Sequence, residues 1–445
     1  MNTGLFGGIV FVLVFTGMVL VHELGHFLAA RLLKIDIEEF GIGFPPRLLR
    51  FWRSKGWLVI GNRRVVIPPN TDLPFDSLQA PGRVAEAEAT DTGKTLLLRS
   101  IKLAATEDGV ADSAPYVREQ ADRTVILHGT IKEIHEGTQW TINWLPLGGF
   151  VRPKGEDDPS IRGGLAAAAP WKRLIVLLAG VTMNLLTAVV AYAILFSNVG
   201  VPQFNKVAIM GLEPGGPAEQ AGLQVGDVIL SVAGQKVTST TQLITITHQH
   251  LGQPVEVVFE RAGEQQSITV TPRTQWPENS GPMGVIIGIP SIQPKSWVAA
   301  LPFSFQAVAK DMSNLLSLPG RWISGQARPE ETQIGGPRSI WNLFQAAVAS
   351  DLQSRQVQDE STQPTYYTLA AIIALSVSLG TFNLLPIPAL DGGRIFFLLP
   401  ELLFRRPLPA RFQMTANGIA FILLVTLLIF FYVRDFINPM TFNLP

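Results

Sequence analysis

His22-Glu23-Leu24-Gly25-His26 is the stretch of this 445-residue chain best equipped for chemistry. On an α-helix, residues i and i+4 share a face about 6 Å apart along the axis, so both imidazoles can reach one metal ion. Glu23 is turned about 100° from His22, which sets it beside such an ion, where a carboxylate can take a proton from water. Two core histidines and an unrelated helix carboxylate are the plainer reading. The surroundings weigh against it, because residues 1–21 carry no charged side chain and apolar character resumes as far as Leu33. An ionisable group deep in a membrane helix costs about 2.5–3.5 kcal/mol on insertion scales, and such groups need partners. A bound metal satisfies all three side chains at once.

The chain has no cysteine, which excludes thiol nucleophiles, iron–sulfur clusters, Cys-ligated zinc and disulfides. A metal here must be held by His, Asp or Glu. Zinc (Zn2+) on two histidines needs a third protein ligand and keeps a fourth position open for water. His128, His135, His248 and His250 all lie outside the apolar runs. Asp391 closes one of those runs in the segment Asn383-Leu-Leu-Pro386-Ile-Pro388-Ala-Leu390-Asp391-Gly392-Gly393. Pro386 and Pro388 break a helix, and the paired glycines permit close backbone approach. Unwound backbone at membrane depth is tolerated only inside protein or along a wet cavity. Asp391 is therefore a candidate ligand; a cap on the following helix is the alternative.

The elements that must carry these residues read as membrane helices. Charged residues make up only 16% of the chain and hydrophobic ones 47%, against about 25% charge in soluble domains. Besides residues 1–21, uncharged runs cover 174–205, 361–390 and 412–433. Each is long enough for the roughly 20 apolar residues that cross a bilayer. The first run lacks the basic start and small-residue cleavage site of a signal peptide, so it reads as a retained helix. Lys+Arg and Asp+Glu balance at 35 each, so no basic field points to nucleic acid as a partner. Arg31, Lys34, Arg47, Arg50, Arg53 and Lys55 follow the first run, Lys172 and Arg173 precede the second, and Arg394, Arg405, Arg406 and Arg411 lie between the last two. By the positive-inside rule, 34–170 and the 391–411 loop are cytoplasmic, and 206–360 and both termini are outside.

Two soluble segments separate the runs. In residues 207–290, Pro217 suits a helix start, Gly222 a helix end, and Gly226-Asp227 a turn into a strand Val228–Val232. Residues 255–260 and 267–271 alternate as paired strands, and 284–289 is a possible closing strand. Pro217-Ala-x-x-Ala-Gly-Leu-x-x-Gly-Asp-x-Ile229 resembles PDZ domains of bacterial proteases, folds that bind extended peptides at a sheet edge; a spacer or size filter is the other reading. Apolar residues at helical spacing mark amphipathic helices in 300–355. In 56–140 strands are expected at 95–104 and 123–134, with the acidic, Ala-rich stretch 78–94 as a loop.

Together these residues resemble the site-2 protease family of intramembrane zinc metalloproteases, of the regulator-of-sigma-E protease type with a PDZ insertion. The resemblance rests on His22-Glu-x-x-His26, Gly41-Ile-Gly-Phe44, Pro146-Leu-Gly-Gly-Phe-Val151, Ala179-Gly-x-x-x-Asn184, the PDZ run, Gly335-Gly-Pro337 and Asn383-x-x-Pro-x-Pro-x-Leu-Asp-Gly392. It implies His22, His26 and Asp391 as zinc ligands and Glu23 as general base. It implies Asn383, Gly148 and Gly149 as substrate-binding residues, with segments near 37–50 and 141–153 forming a membrane-associated β structure whose edge guides an unfolded substrate strand. Val181 departs from the proline often found after Ala-Gly, and one PDZ-like module stands where family members can have two.

The expected architecture is a polytopic α-helical membrane protein of about four transmembrane helices, with a membrane-associated β segment and an inserted α+β PDZ-like domain. Its parts are 1–33 (first transmembrane helix), 34–170 (cytoplasmic segment with an extra insertion), 171–199 (second helix), 203–290 (PDZ-like), 300–355 (amphipathic), 364–392 (third helix) and 412–434 (fourth helix). The expected function is zinc-dependent regulated intramembrane proteolysis in the plasma (inner) membrane. Expected partners are transmembrane substrates such as anti-sigma factors or remnant signal peptides, and the lipid bilayer. A non-catalytic membrane PDZ scaffold with a structural zinc site is the alternative, though it has no need of Glu23. A transporter would call for repeated halves, which the chain does not show.

Overall fold

Apolar segments that leave water must satisfy every backbone N–H and C=O internally, and a continuous helix does so. Among the described residues four helices are long and apolar enough to cross a membrane: Phe6–Leu32, Pro170–Val199, Tyr367–Leu384 and Arg411–Ile437. They fit a membrane protein. The computed structural model describes residues 3–77, 79–104, 116–119, 122–156, 158–277, 281–294, 296–326, 335–356 and 364–442. The chain divides into one unit of Met1–Ala188 with Val308–Pro445, and a second of Val189–Ala307.

In chain order, α1 (Thr3–Leu32) leads into β1 (Ile37–Arg53), β2 (Gly56–Ile60), β3 (Arg63–Ile67), β4 (Val84–Asp91), β5 (Leu96–Leu103), β6 (Tyr116–Glu119), β7 (Thr124–His135) and β8 (Gln139–Pro153), then α2 (Pro170–Val199). There follow β9 (Val201–Pro202), β10 (Val207–Leu212), α3 (Pro217–Ala221), β11 (Val228–Val232), β12 (Gln235–Lys236), α4 (Thr240–Gln249), β13 (Val255–Arg261), β14 (Glu264–Val270), β15 (Val285–Gly288) and β16 (Ser291–Ile292). The chain returns through α5 (Trp297–Ile323), α6 (Pro337–Gln356), α7 (Tyr367–Leu384), α8 (Asp391–Phe404) and α9 (Ala410–Ile437).

In the first unit, β1 and β8 both bend over. Residues 37–42 lie opposite 149–153 (Ile37↔Pro153, Ile42↔Gly149), and 47–53 lie opposite 139–143 (Arg53↔Gln139, Arg47↔Asn143). The resulting sheet leaves Phe44, Leu48, Leu49, Phe51, Trp144 and Leu145 exposed. Large apolar side chains in such a run seek lipid or protein rather than water. At its other end Phe27 of α1 packs edge-on to Phe40 and Trp140, which ties the sheet to the helix.

The expected loop at 78–94 is instead strand in its centre, where β4 occupies Val84–Asp91; residue 78 lies outside the described residues. Ala85, Ala87 and Ala89 point inward, each with no exposed surface, while Glu86 faces out. Alanine has low strand propensity, but here the small side chains fit a narrow core of Leu58, Val65, Ile67, Leu127 and Ile131. The expected third span, 364–392, is a helix only from Tyr367 to Leu384; the backbone then turns at Pro386 and Pro388, and Asp391 begins α8. The expected amphipathic stretch 300–355 contains parts of α5 and α6, with 327–334 outside the described residues.

The second unit holds a sheet in the order β14-β13-β11-β10-β15, with β12 on β11. Pro217 sits at the start of α3 and Gly222 closes it at φ +97°, a conformation that glycine adopts without steric cost. The fully buried Asp227 carboxylate accepts from Arg261 Nε (2.7 Å) and Nη2 (2.6 Å), pinning the turn before β11 to the end of β13. Short strands, two helices and this turn chemistry give the module its PDZ character, with Val207, Leu223, Leu243, Val257 and Phe259 in its core.

Candidate metal centre

His22 and His26 stand on successive turns of α1, and Asp391 is the first residue of α8. The three donors converge: His22 Nε2 lies 3.1 Å and His26 Nε2 3.3 Å from Asp391 Oδ2, with 3.2 Å between the two nitrogens. Each imidazole is oriented by its other nitrogen. His26 Nδ1 donates to the Val176 carbonyl of α2 (2.8 Å), so its Nε2 carries the lone pair. The Nδ2 of the buried Asn184 on α2 lies 3.1 Å from His22 Nδ1, and Asn184 Oδ1 has no hydrogen-bond partner among the described residues. Exchanging the oxygen and nitrogen of that amide pairs the orphaned Oδ1 with the His22 Nδ1–H and frees Nε2 in the same way.

Two lone pairs and a carboxylate oxygen aimed at one point repel each other unless a cation lies between them. Asp391 Oδ2 is buried and has no hydrogen-bond partner, as expected of a ligand atom. The donor spacings match the edge of a tetrahedron of about 2.0 Å radius, roughly 3.3 Å, the shape of zinc sites. The residues present fit zinc.

Glu23 is held separately. Its Oε2 accepts from the backbone N–H of Val151 in β8 (3.0 Å), so the sheet edge fixes the carboxylate next to the histidines. Glu23, His22, His26 and Asp391 line one cavity of about 470 Å³ together with Asn383, Phe150 and Val151. A carboxylate held beside a cation in a cavity large enough for water and an extended backbone is equipped for general-base chemistry.

Of the other expected substrate residues, Asn383 lines this cavity, while Gly148 and Gly149 do not. A Cβ on Gly149 would meet Leu20 at 2.6 Å, and one on Gly148 would meet Val19 at 3.2 Å, so both pack β8 on α1. The neighbouring Phe150 and Val151 reach the cavity instead. Two further residues were not singled out from the sequence. A Cβ on Gly180 would lie 2.4 Å from His26 Nε2 and 2.8 Å from His22 Cε1, so only glycine leaves room for both rings. Asn184, one turn on, orients His22. Both belong to the Ala179-Gly-x-x-x-Asn184 stretch, and the i, i+4 spacing of glycine and amide was the available signal.

Comparison with known proteins follows the same lines. Peptidase family M50 matches residues 10–58 and 121–427. Zinc metalloprotease RasP of Geobacillus kaustophilus is 27% identical over 94% of this chain and 95% of its own. Regulator of sigma-W protease RasP of Bacillus subtilis is 25% identical over 95% and 96%. Among solved structures, the PDZ domain of an SdrC-like protein from Listeria monocytogenes aligns with 19% of this chain and 88% of its own, at 18% identity and a TM-score of 0.17.

Proposed function

The chain belongs to peptidase family M50, the site-2 proteases, and is a zinc metalloprotease; from that premise we propose that it is an intramembrane endopeptidase performing regulated intramembrane proteolysis. The observation that carries this reading is the convergence of His22, His26 and Asp391 within 3.1–3.3 Å, beside an anchored Glu23, on a helix of membrane length.

In this reading His22, His26 and Asp391 hold the metal. When bound, zinc supplies a Lewis acid that polarises the scissile carbonyl and makes water more acidic. Glu23 takes the proton of the attacking water and returns it to the leaving amine. The Val151 N–H keeps the Glu23 carboxylate from swinging away between the two transfers. His26 and His22 stay fixed in one tautomer by Val176 and Asn184. A backbone wound in a helix cannot reach such a site, so the substrate unwinds locally and lies extended along the sheet edge at Phe150–Val151, with Asn383 as a polar contact from α7.

The substrates proposed are single-pass membrane proteins, such as membrane-bound anti-sigma factors, or remnant signal peptides. The Lys/Arg asymmetry supports a multi-pass inner-membrane topology with 34–170 cytoplasmic and the PDZ module and termini outside. The PDZ module then acts in selection, rejecting substrates that still carry bulky folded outer domains.

The test is cleavage of a trimmed single-pass substrate by the purified chain in proteoliposomes, with the cut mapped by mass spectrometry. A cut inside the apolar segment, lost in Glu23→Gln with zinc content unchanged, is the expected result. Equal cleavage by Glu23→Gln, or a cut only in the soluble flanks, would overturn the reading.

A further inference from the structure

The match to the family stops at residue 58 and resumes at 121, and the intervening residues build most of a closed barrel. Its strands follow the order β2-β3-β5-β4-β7, and β7 returns to β2 to close the ring. Within the ring β3–β5 is the parallel pair, and β7 is the longest strand, shared between β2 and β4. This cyclic order is that of an OB barrel entered at its second strand. Such barrels bind ligands on the face of their second and third strands and on adjoining loops. Here those strands are β2 and β3.

A cavity of about 1000 Å³ lies on that face. Its wall includes Trp57 of β2, Arg64 of β3, Lys55 before β2, Lys94 between β4 and β5, and, from outside the barrel, Arg31 and Trp52. The wall also carries four acids, Asp36, Glu38, Asp76 and Glu136. Glu136 pairs with Arg53 at 3.0 Å, Asp36 pairs with His135, and Asp76 is engaged as well. Burial pushes the Glu38 carboxyl up, against the pull of Lys154 and Arg152. Among the described residues, Arg31, Lys55 and Lys94 have no carboxylate partner, and the Arg64 guanidinium lies 4.1 Å over the Trp57 ring. With Lys154, five cations face four acids in this wall, and the three cations without a carboxylate partner are the ones free to engage an anion.

Two observations select the anion. His135 stacks on Trp57 at 3.8 Å while Arg64 covers the same ring, and one face has no room for both, so no open face remains for a base. Arg31 lies in the last turn of α1, where the candidate span Phe6–Leu32 ends, and Trp52 of β1 follows the exposed Leu48, Leu49 and Phe51. Basic and aromatic residues where an apolar helix ends mark the depth of lipid headgroups. We propose that this cavity binds the phosphate of an anionic phospholipid headgroup and so docks the inserted barrel on the membrane surface.

The test uses the full-length chain in zwitterionic detergent, titrated with short-chain phosphatidylglycerol, short-chain phosphatidylcholine or inorganic phosphate, with binding read by calorimetry. The expected result is saturable phosphatidylglycerol binding, weakened about tenfold or more in Lys55→Gln/Lys94→Gln and unchanged in Lys236→Gln. Phosphatidylcholine should bind at least about tenfold more weakly, and inorganic phosphate should compete poorly. A thermal unfolding midpoint of the double variant equal to wild type would show that its fold is intact. Phosphatidylglycerol binding that the double variant leaves untouched would overturn the proposal. So would inorganic phosphate binding as tightly as the lipid, which would make this a free-anion site. Because the lysines stand apart from the metal centre, failure here leaves the proteolytic reading standing, and the reverse holds too.

Discussion

In the cavity of about 470 Å³ beside α1, three titratable groups are each held by a second partner: His26 by Val176, His22 by Asn184 and Glu23 by Val151, while Asp391 Oδ2 is left open toward the histidines. In the cavity of about 1000 Å³ on the barrel, Arg31, Lys55 and Lys94 are exposed and reach inward on long, unanchored stems. One site gathers donors suited to a cation, and the other gathers side chains suited to an anion. They differ in how much freedom was removed in advance. Bond-breaking needs groups fixed to within about half an ångström, so their positions are bought by packing and hydrogen bonds. Holding a headgroup needs charge in the right place and tolerates mobile side chains. Anchoring of the side chains thus separates the proposed reaction centre from the proposed binding site in the same unit.

The comparison breaks first at Asp391. Asp391→Ala should abolish cleavage and drop zinc well below the about one ion per chain expected of a single site, as measured by elemental analysis; full occupancy would remove Asp391 from the ligand set. Next comes Glu23→Gln, which should slow cleavage about 10²–10⁴-fold while zinc stays bound, since the amide keeps the shape but cannot accept a proton. Asn184→Ala should weaken zinc binding about 10–100-fold by releasing the His22 ring. Asn184→Asp keeps an acceptor toward Nδ1 and should restore most of that affinity in a competition titration with a chelator. If Asn184→Asp were as weak as Asn184→Ala, the amide would be donating and the His22 tautomer would be the other one. The smallest effect belongs to the barrel. Ala87→Leu should overfill its narrow core and cost about 1–3 kcal/mol of stability, seen in thermal unfolding, with zinc content unchanged; loss of zinc would mean that the two sites are not independent.

Much of the metal centre was legible because local periodicity encodes it. The i, i+4 spacing of His22 and His26 acts within one helix, and Pro386, Pro388 and the paired glycines announce that α7 stops before Asp391. The turn residues of the PDZ module, Pro217, Gly222 and Gly226-Asp227, were legible for the same reason. Gly180 and Asn184 were not, because their roles exist only across the α1–α2 contact. Gly148 and Gly149, expected at a substrate edge, lie close against α1 and β1, a packing role that their sequence position did not announce. In β4 the Ala/Glu alternation had the right period for a strand, yet alanine's weak preference hid it until a tight barrel supplied the reason for small side chains.

What the sequence determined by itself is what neighbours along the chain decide: apolar length, helix period, turn chemistry and the absence of cysteine. Only the tertiary structure decided that Asp391 meets two histidines from the far end of the chain, that β7 closes on β2, and that Lys55, Lys94 and Arg31 face one cavity. Local rules act through bonds and steric contacts a few residues apart. These junctions depend on which surfaces pack at what depth, and that follows from volume and long-range pairing, which no short window of sequence contains.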